Sequence, residues 1–180
     1  MRLIRTKGDL KRVLQEDNLA NQGRCSRIDA LTASESYQIR KYQKLMRLDE
    51  YYSFQKGIIQ KVLSLITRRR KNKLGTRLGL FMKSGSFDGG LVIWHCGGIV
   101  VNGNAVIGKN CSFHGDNCIG NNGTSSYCPV IGDDVEFGVG AKAIGDITIA
   151  DNVTIGAGAI VVKSCLNPGA VLVGVPAREL

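Results

Sequence analysis

Two histidines, His95 and His114, are the side chains of this 180-residue chain best suited to move a proton near neutral pH. Histidine in that role is a general acid or base, and it works on a hydroxyl or a leaving group held within hydrogen-bond reach. Their surroundings do not suggest a metal. The six cysteines (25, 96, 111, 118, 128 and 165) follow neither metal-ligand nor disulfide-framework spacing. Cys111 and Cys165 read instead as buried free thiols of a reducing compartment.

The elements that must position the histidines come from a repeat. From Val101 to Val161 an apolar residue recurs every six positions: Val101, Ile107, Phe113 and Ile119, then Ile131, Phe137, Ala143, Ile149, Ile155 and Val161. Ser125 alone breaks the series, and the phase resumes unshifted. Small or branched residues such as Ala105, Cys111, Ala141 and Ala159 usually stand four positions past a member. Neither a helix nor simple alternation has this period, and a generic Gly-rich sheet would not hold one phase so long. Six-residue repetition is the mark of a parallel β-helix, each hexapeptide giving one strand and one turn and three making a coil. Glycine and asparagine are expected at the turns. The reading is a mainly β protein, with an N-terminal helical extension over 1–85 and a β-helix of roughly four coils over 86–180.

The segments 94–120 (WHCGGIVVNGNAVIGKNCSFHGDNCIG), 128–162 and 174–180 (GVPAREL) resemble the left-handed β-helix acyltransferases. Within them the chain is similar to the serine acetyltransferase-like branch that includes bacterial capsular polysaccharide O-acetyltransferases. The resemblance covers about the last ninety residues. It implies a left-handed coil, acetyl-CoA as acyl donor, no metal, and a homotrimer with active sites between subunits. It also points to His95 as the general base, because His95 precedes Cys96-Gly97-Gly98-Ile99-Val100 as the family's base precedes its Gly-Ile-Val segment. His95 is in phase with the inward slots, so Gly97-Gly98 is expected to bend the backbone and turn it outward. His114 is a second catalytic or substrate-binding candidate.

By match to the family's Gly-Ala-Gly-Ala segments, the coenzyme groove falls on Gly140, Ala141, Lys142 and Ala159, with backbone amides bonding the pantetheine arm. Lys163 and Arg178 are candidates for its phosphates. Three departures bear on the acceptor. Trp94 stands where the serine enzymes carry an aspartate, and Tyr127-Cys128-Pro129 where they carry an Arg-His pair. The aspartate that orients the catalytic histidine has no clear match; Asp88 is near but out of register. A site without charge partners should reject a zwitterion, whereas Trp94 could stack on a sugar ring. Trp94, Asp88 and Cys128 are therefore the acceptor-side candidates, and the polar loop 121–127 a candidate wall of the site.

The charge is lopsided. Residues 1–90 hold 20 Lys/Arg against 8 Asp/Glu, and residues 91–180 hold 4 against 7. The basic run from Arg68 to Arg77 lacks interleaved aromatics, which argues against nucleic acid and leaves open a solvated helix end, a membrane surface, or an anionic glycan or lipid-linked phosphate. Three helices are expected: one capped by Thr6 with Asp9, one starting at Thr32 with Tyr37, Lys41, Leu45 and Leu48 as its stripe, and one over 52–70 with Ile58, Ile59, Val62, Leu63, Leu65 and Ile66 as its apolar side. They read as a cap on the open end of the prism, with acceptor binding or assembly as the other reading. The first residues lack the apolar core of a signal peptide, so the expected location is cytoplasmic. Docking to cysteine synthase is not expected, since the family's longer tail has no match. The favoured function is acetyl-CoA-dependent O-acetylation of a sugar hydroxyl in a cell-surface polysaccharide or its precursor. Serine O-acetylation is the alternative, and a non-catalytic trimeric scaffold the third reading.

Overall fold

The computed structural model describes residues 3–180. Helices come first: α1 (Lys7–Ala20), α2 (Arg27–Thr32), α3 (Glu35–Ser53) and α4 (Ile58–Leu78). After β1 (Leu80–Met82) come short strands: β2 (Val92–Ile93), β3 (Ile99–Val101), β4 (Val106–Ile107), β5 (Ser112–Phe113), β6 (Cys118–Gly120), β7 (Val130–Ile131), β8 (Glu136–Phe137), β9 (Lys142–Ile144), β10 (Thr148–Ile149), β11 (Thr154–Ile155) and β12 (Ile160–Val161). An antiparallel hairpin, β13 (Val171–Gly174) with β14 (Ala177–Glu179), ends the chain.

The strands wind into a three-faced parallel β-helix. The first face is β2-β5-β8-β11-β13, the second β1-β3-β6-β9-β12, the third β4-β7-β10. Register stacks like on like inside the prism: Ile93, Phe113, Phe137, Ile155 and Leu172 on the first face; Met82, Val101, Ile119, Ala143 and Val161 on the second. Every member of the six-step series is buried. Phe113 and Phe137 stack at 4.9 Å with an 11° angle between rings. The small residues Ala105, Cys111, Ala141 and Ala159 are buried too, since a large side chain would overfill so narrow an interior. Asparagine and aspartate take the left-handed turn positions Asn110, Asp134 and Asn152, and Asn110 Nδ2 donates to Asp134 Oδ1 in the next coil. The loop that breaks the repeat lies at the corner between the second and third faces, where Asn104 Nδ2 donates to the Ser126 carbonyl.

The helices close the first coil. Ile39, Tyr42, Met46 and Leu74 join the core of the prism. At Gly75 a β-carbon would meet the Leu80 carbonyl oxygen at 2.5 Å, so a side chain there would push α4 off β1. β2 is the terminal strand of its face, and an unpaired edge needs partners. Side chains supply them along the segment leading into and through β2. Arg47 donates to the Phe87 and Asp88 carbonyls, Asn21 and Gln43 to Leu91, and Arg24 to Ile93. Arg47 also forms a buried two-point ion pair with Asp17, at 2.9 and 3.0 Å. Asp17 in turn accepts the Gly90 and Leu91 amides.

Thr6 and Asp9 form the expected capping box. Thr32 does not start a helix; it ends α2, its hydroxyl donating to the Ile28 carbonyl, and Ser34 caps α3 instead. The stripe Tyr37, Lys41, Leu45, Leu48 is not the buried face of α3 either. Ile39, Tyr42, Gln43, Met46, Arg47, Asp49 and Glu50 are, because what the helix meets is a strand edge rich in carbonyls rather than an apolar wall. The apolar side expected of α4 is largely exposed, and α4 buries Thr67, Lys71, Leu74 and Gly75.

Candidate active site

The corner between the first and second faces brings both histidines to the surface and is the candidate site. His95 follows β2 and precedes Gly97 (φ 100°) and Gly98 (φ 68°). These positive φ values, cheap only for glycine, let the chain turn there, and Ile93 and Ile99 take the inward places while the His95 side chain is 66% exposed. The outward turn expected of Gly97-Gly98 is what the backbone does.

His95 has a carboxylate partner that the sequence did not reveal. Glu35, the first residue of α3, brings its Oε2 3.3 Å from His95 Nδ1, while its Oε1 accepts the Cys96 amide at 2.8 Å. That amide hydrogen bond holds the Glu35 carboxyl below the ordinary glutamate range. An ionised carboxylate at Nδ1 favours the tautomer with the proton there, leaving Nε2 with a free lone pair. The Cys96 thiol is pushed up, first by burial and then by Glu35, so it is not the nucleophile here.

One register position away lies a second cluster. Trp94 stacks on His114 at 5.3 Å, and the Arg24 guanidinium sits 3.6 Å from the tryptophan ring centre. His114 Nε2 is 2.9 Å from Glu136 Oε1, close enough for ion pairing though out of line for a hydrogen bond. Burial and neighbouring Arg40 hold Arg24 below the ordinary arginine value, and its Nη1 is enclosed with no hydrogen-bond partner. The neighbour of His95 in the next coil is Gly115, not His114. Trp94 is 44% exposed but not the bare platform expected, since arginine and histidine already lie against its ring.

Two acceptor-side expectations fail. Cys128 is 7% exposed and belongs to the prism core, because the loop re-enters the repeat there. Asp88 is 6% exposed beneath the helices; its Oδ1 accepts the Gly89 amide and its carbonyl is held by Arg47. Neither lies at the corner. The loop 121–127 is not beside His114 in its own chain either, since the second face separates the two corners.

Along the His95 corner the later coils present Gly140 (φ 73°) and Gly158 (φ 69°), and a β-carbon on Gly158 would meet nothing within 4 Å. Gly140 and Gly158 leave room there for a thin flexible arm, with the exposed Asp116 carboxylate at the near end between Gly98 and Gly140. Ala141 and Ala159 turn their methyls inward, and their amides, like that of Gly140, already donate to backbone carbonyls. The expectation that these amides bond the pantetheine arm is therefore not met in this structure, where none of the three is free to donate. Lys142 lies on β9, and Arg178 is exposed on the closing hairpin. Lys163 is exposed beyond β12, at the same corner as the 121–127 loop and across the second face from Gly140. One chain thus does not gather every coenzyme candidate. Among the described residues no group of acids, histidines or cysteines could hold a metal ion, and no helix is long and apolar enough to cross a membrane.

No protein-family profile matches the chain. A serine acetyltransferase of Synechococcus elongatus is 34% identical over 93 residues, 51% of this chain and 38% of that protein. A putative colanic acid biosynthesis acetyltransferase of Escherichia coli K12 is 40% identical over 87 residues, 48% and 53% of the two chains. A serine acetyltransferase of Staphylococcus xylosus is 32% identical over 130 residues, 71% and 56%. The chain thus spans well under two thirds of the length of these relatives. Among solved structures, serine acetyltransferase from Brucella abortus superposes with a TM-score of 0.71 at 22% identity, covering 97% of this chain and 70% of that one. The Neisseria gonorrhoeae enzyme in complex with serine gives 0.67 at 26% identity, covering 96% and 69%. The fold is accordingly the left-handed β-helix of the hexapeptide-repeat acyltransferases. The chain is similar to their serine acetyltransferase-like members, and the structural matches extend the likeness through the helical region.

Proposed function

We propose that the protein is an acetyl-CoA-dependent O-acetyltransferase with His95 as its general base. The observation that carries this is the Glu35–His95 pair on an exposed corner, with the glycine strip running away from it. His95 Nε2 takes the acceptor hydroxyl proton as that oxygen attacks the thioester carbonyl, and returns it to the departing thiolate. Glu35 holds the ring and offsets the positive charge it gains. Gly140 and Gly158 leave room for the pantetheine arm, with Lys142, Lys163 and Arg178 as candidates for its phosphates. Support for acetyl-CoA comes from the names of the relatives and from a serine acetyltransferase neighbour solved in complex with coenzyme A.

The acceptor we favour is a sugar hydroxyl of a cell-surface polysaccharide or its precursor. Trp94 occupies the place of the charge that would hold a serine amino group, Cys128 is buried where the Arg-His pair would end the loop, and the colanic acid relative is named for polysaccharide synthesis. The second reading is serine. It is favoured by the names of the other relatives reported above and by Arg24, a cation beside the corner able to meet a carboxylate. We further propose that the molecule works as a trimer, since only a neighbouring copy could bring the loop corner, with Lys163, to the His95 corner.

Release of coenzyme A, followed by a readout other than total thiol, separates the readings. Turnover with nucleotide sugars or oligosaccharides and none with L-serine is the expected result. Turnover with serine would overturn the saccharide assignment. Binding of acetyl-CoA without turnover on any hydroxyl would leave a scaffold.

A further inference from the structure

We propose that α4 is a docking surface for an anionic lipid membrane. Its first nine residues expose five large apolar side chains: Ile58, Ile59, Val62, Leu65 and Ile66, each between 42% and 82% accessible. At 100° per residue they fall on one arc of the helix. Arg69, Lys73 and Arg77, three or four residues further on each time, continue that arc, with Arg70 at its side. The opposite side of the helix holds Thr67, Lys71, Leu74 and Gly75 against α3 and β1, so the stripe faces away from the rest of the chain.

The charge on this helix identifies the partner. Between Ile58 and Leu78 there are seven Lys/Arg residues and no Asp or Glu. Arg68 and Lys71 share Asp49. Among the described residues no carboxylate pairs with Lys61, Arg69, Arg70, Lys73 or Arg77. A groove of about 600 Å³ between α3 and α4 gathers Lys41, Arg70, Lys73 and Arg77 around Leu45 and Leu74, a shape and charge suited to a phosphate headgroup. Apolar side chains that reach the acyl boundary, beside cations level with the phosphates, are the two signals that hold a helix on a bilayer surface. A two-fold contact of this face with itself would set one acid-free cationic helix against its twin, which like-charge repulsion opposes. The surface is separate from the His95 corner and stands whether or not the proposed reaction is right.

The test is flotation of the full chain with vesicles of phosphatidylcholine containing about a third phosphatidylglycerol, beside vesicles of phosphatidylcholine alone. Binding is expected to the anionic vesicles only, and to weaken with salt. The triple variant Arg69→Gln, Arg70→Gln, Lys73→Gln should lose on the order of a hundredfold in affinity. Ile59→Glu with Leu65→Glu should lose binding while keeping the wild-type circular dichroism melting curve, since both sites are exposed. Equal binding to both vesicle types, or undiminished binding by the Glu variant, would overturn the proposal. So would a fall in the particle mass of that variant by light scattering, which would mean that a second copy covers this face.

Discussion

The β-helix and the helices that close it are built on opposite plans. Inside the prism the buried layer is almost wholly apolar, and each residue repeats the one a coil below: Phe113 on Phe137, Ile119 on Ala143. Where the helices meet the first coil, the apolar Ile39, Tyr42, Met46 and Leu74 share the buried layer with an unrepeated set of polar side chains: Arg47, Asp17, Asn21, Gln43, Asp49 and Glu50. A parallel stack satisfies its own backbone internally, so apolar filling suffices. The end of the stack has carbonyls and amides with no next coil, and the helices must supply side chains to meet them. The proposed active corner sits on this seam, with His95 from the first coil and Glu35 from a helix.

The largest effect should come from breaking the polar seam. Asp17→Ala strands Arg47 in a buried place and should lower stability by about 3–5 kcal/mol in urea unfolding. The double change Asp17→Leu with Arg47→Met should recover little of that loss. The Phe87 and Asp88 carbonyls and the Gly90 and Leu91 amides would still lack partners. Full recovery would show that the ion pair is dispensable and the seam no different from the prism. In the prism, Ile119→Ala should cost about 2–5 kcal/mol through the cavity it leaves, with no comparable loss of backbone partners.

At the corner, His95→Ala should cut turnover by about a hundredfold or more with acetyl-CoA binding retained. Near-normal turnover would remove His95 as the base. Glu35→Gln keeps an acceptor for the Cys96 amide but loses the charge, and about a tenfold fall in kcat with little change in KM is expected. The sign of its pH dependence follows from the lowered carboxyl. A carboxylate held below its ordinary value of 4.5 is fully charged above that value, and its contribution is lost only as pH falls through the lowered one. Glu35 should therefore stay charged from about pH 6 to 8, and the tenfold ratio is expected at the upper end of that range, above the ordinary histidine value. A ratio near one at about pH 8 would mean that Glu35 does not act as a standing charge.

The smallest effect contrasts thiols. Cys111 lies in the prism and burial pushes its thiol up to about 12, whereas Cys25 is partly exposed before α2. With iodoacetamide at about pH 8, Cys25 should label while native Cys111 stays unmodified by mass spectrometry. Fast labelling of Cys111 would indicate a prism that opens readily.

Legibility in the sequence divides along the same seam. The hexapeptide phase was readable because each coil imposes the same requirement every six residues, and the outward turn of His95 followed from Gly97-Gly98. Cys128 and Asp88 were misplaced because a loop and a strand lead-in carry no period from which to read burial. Glu35 could be seen as a helix-start residue, but nothing local links it to a histidine 60 residues on. Arg24 was missed for the same reason. The apolar residues of α4 were noticed, yet their period could not say whether they faced the core or solvent.

By itself the sequence determined the β-helix, its approximate extent and the capping of α1, because these rest on periods and on neighbours a few residues apart, and it marked His95 as the candidate base. The tertiary structure alone decided which carboxylate holds His95, what covers Trp94, how the first coil is closed and which face of α4 is left open. Those are single contacts between segments distant in sequence, fixed by the packing of helices against one strand edge.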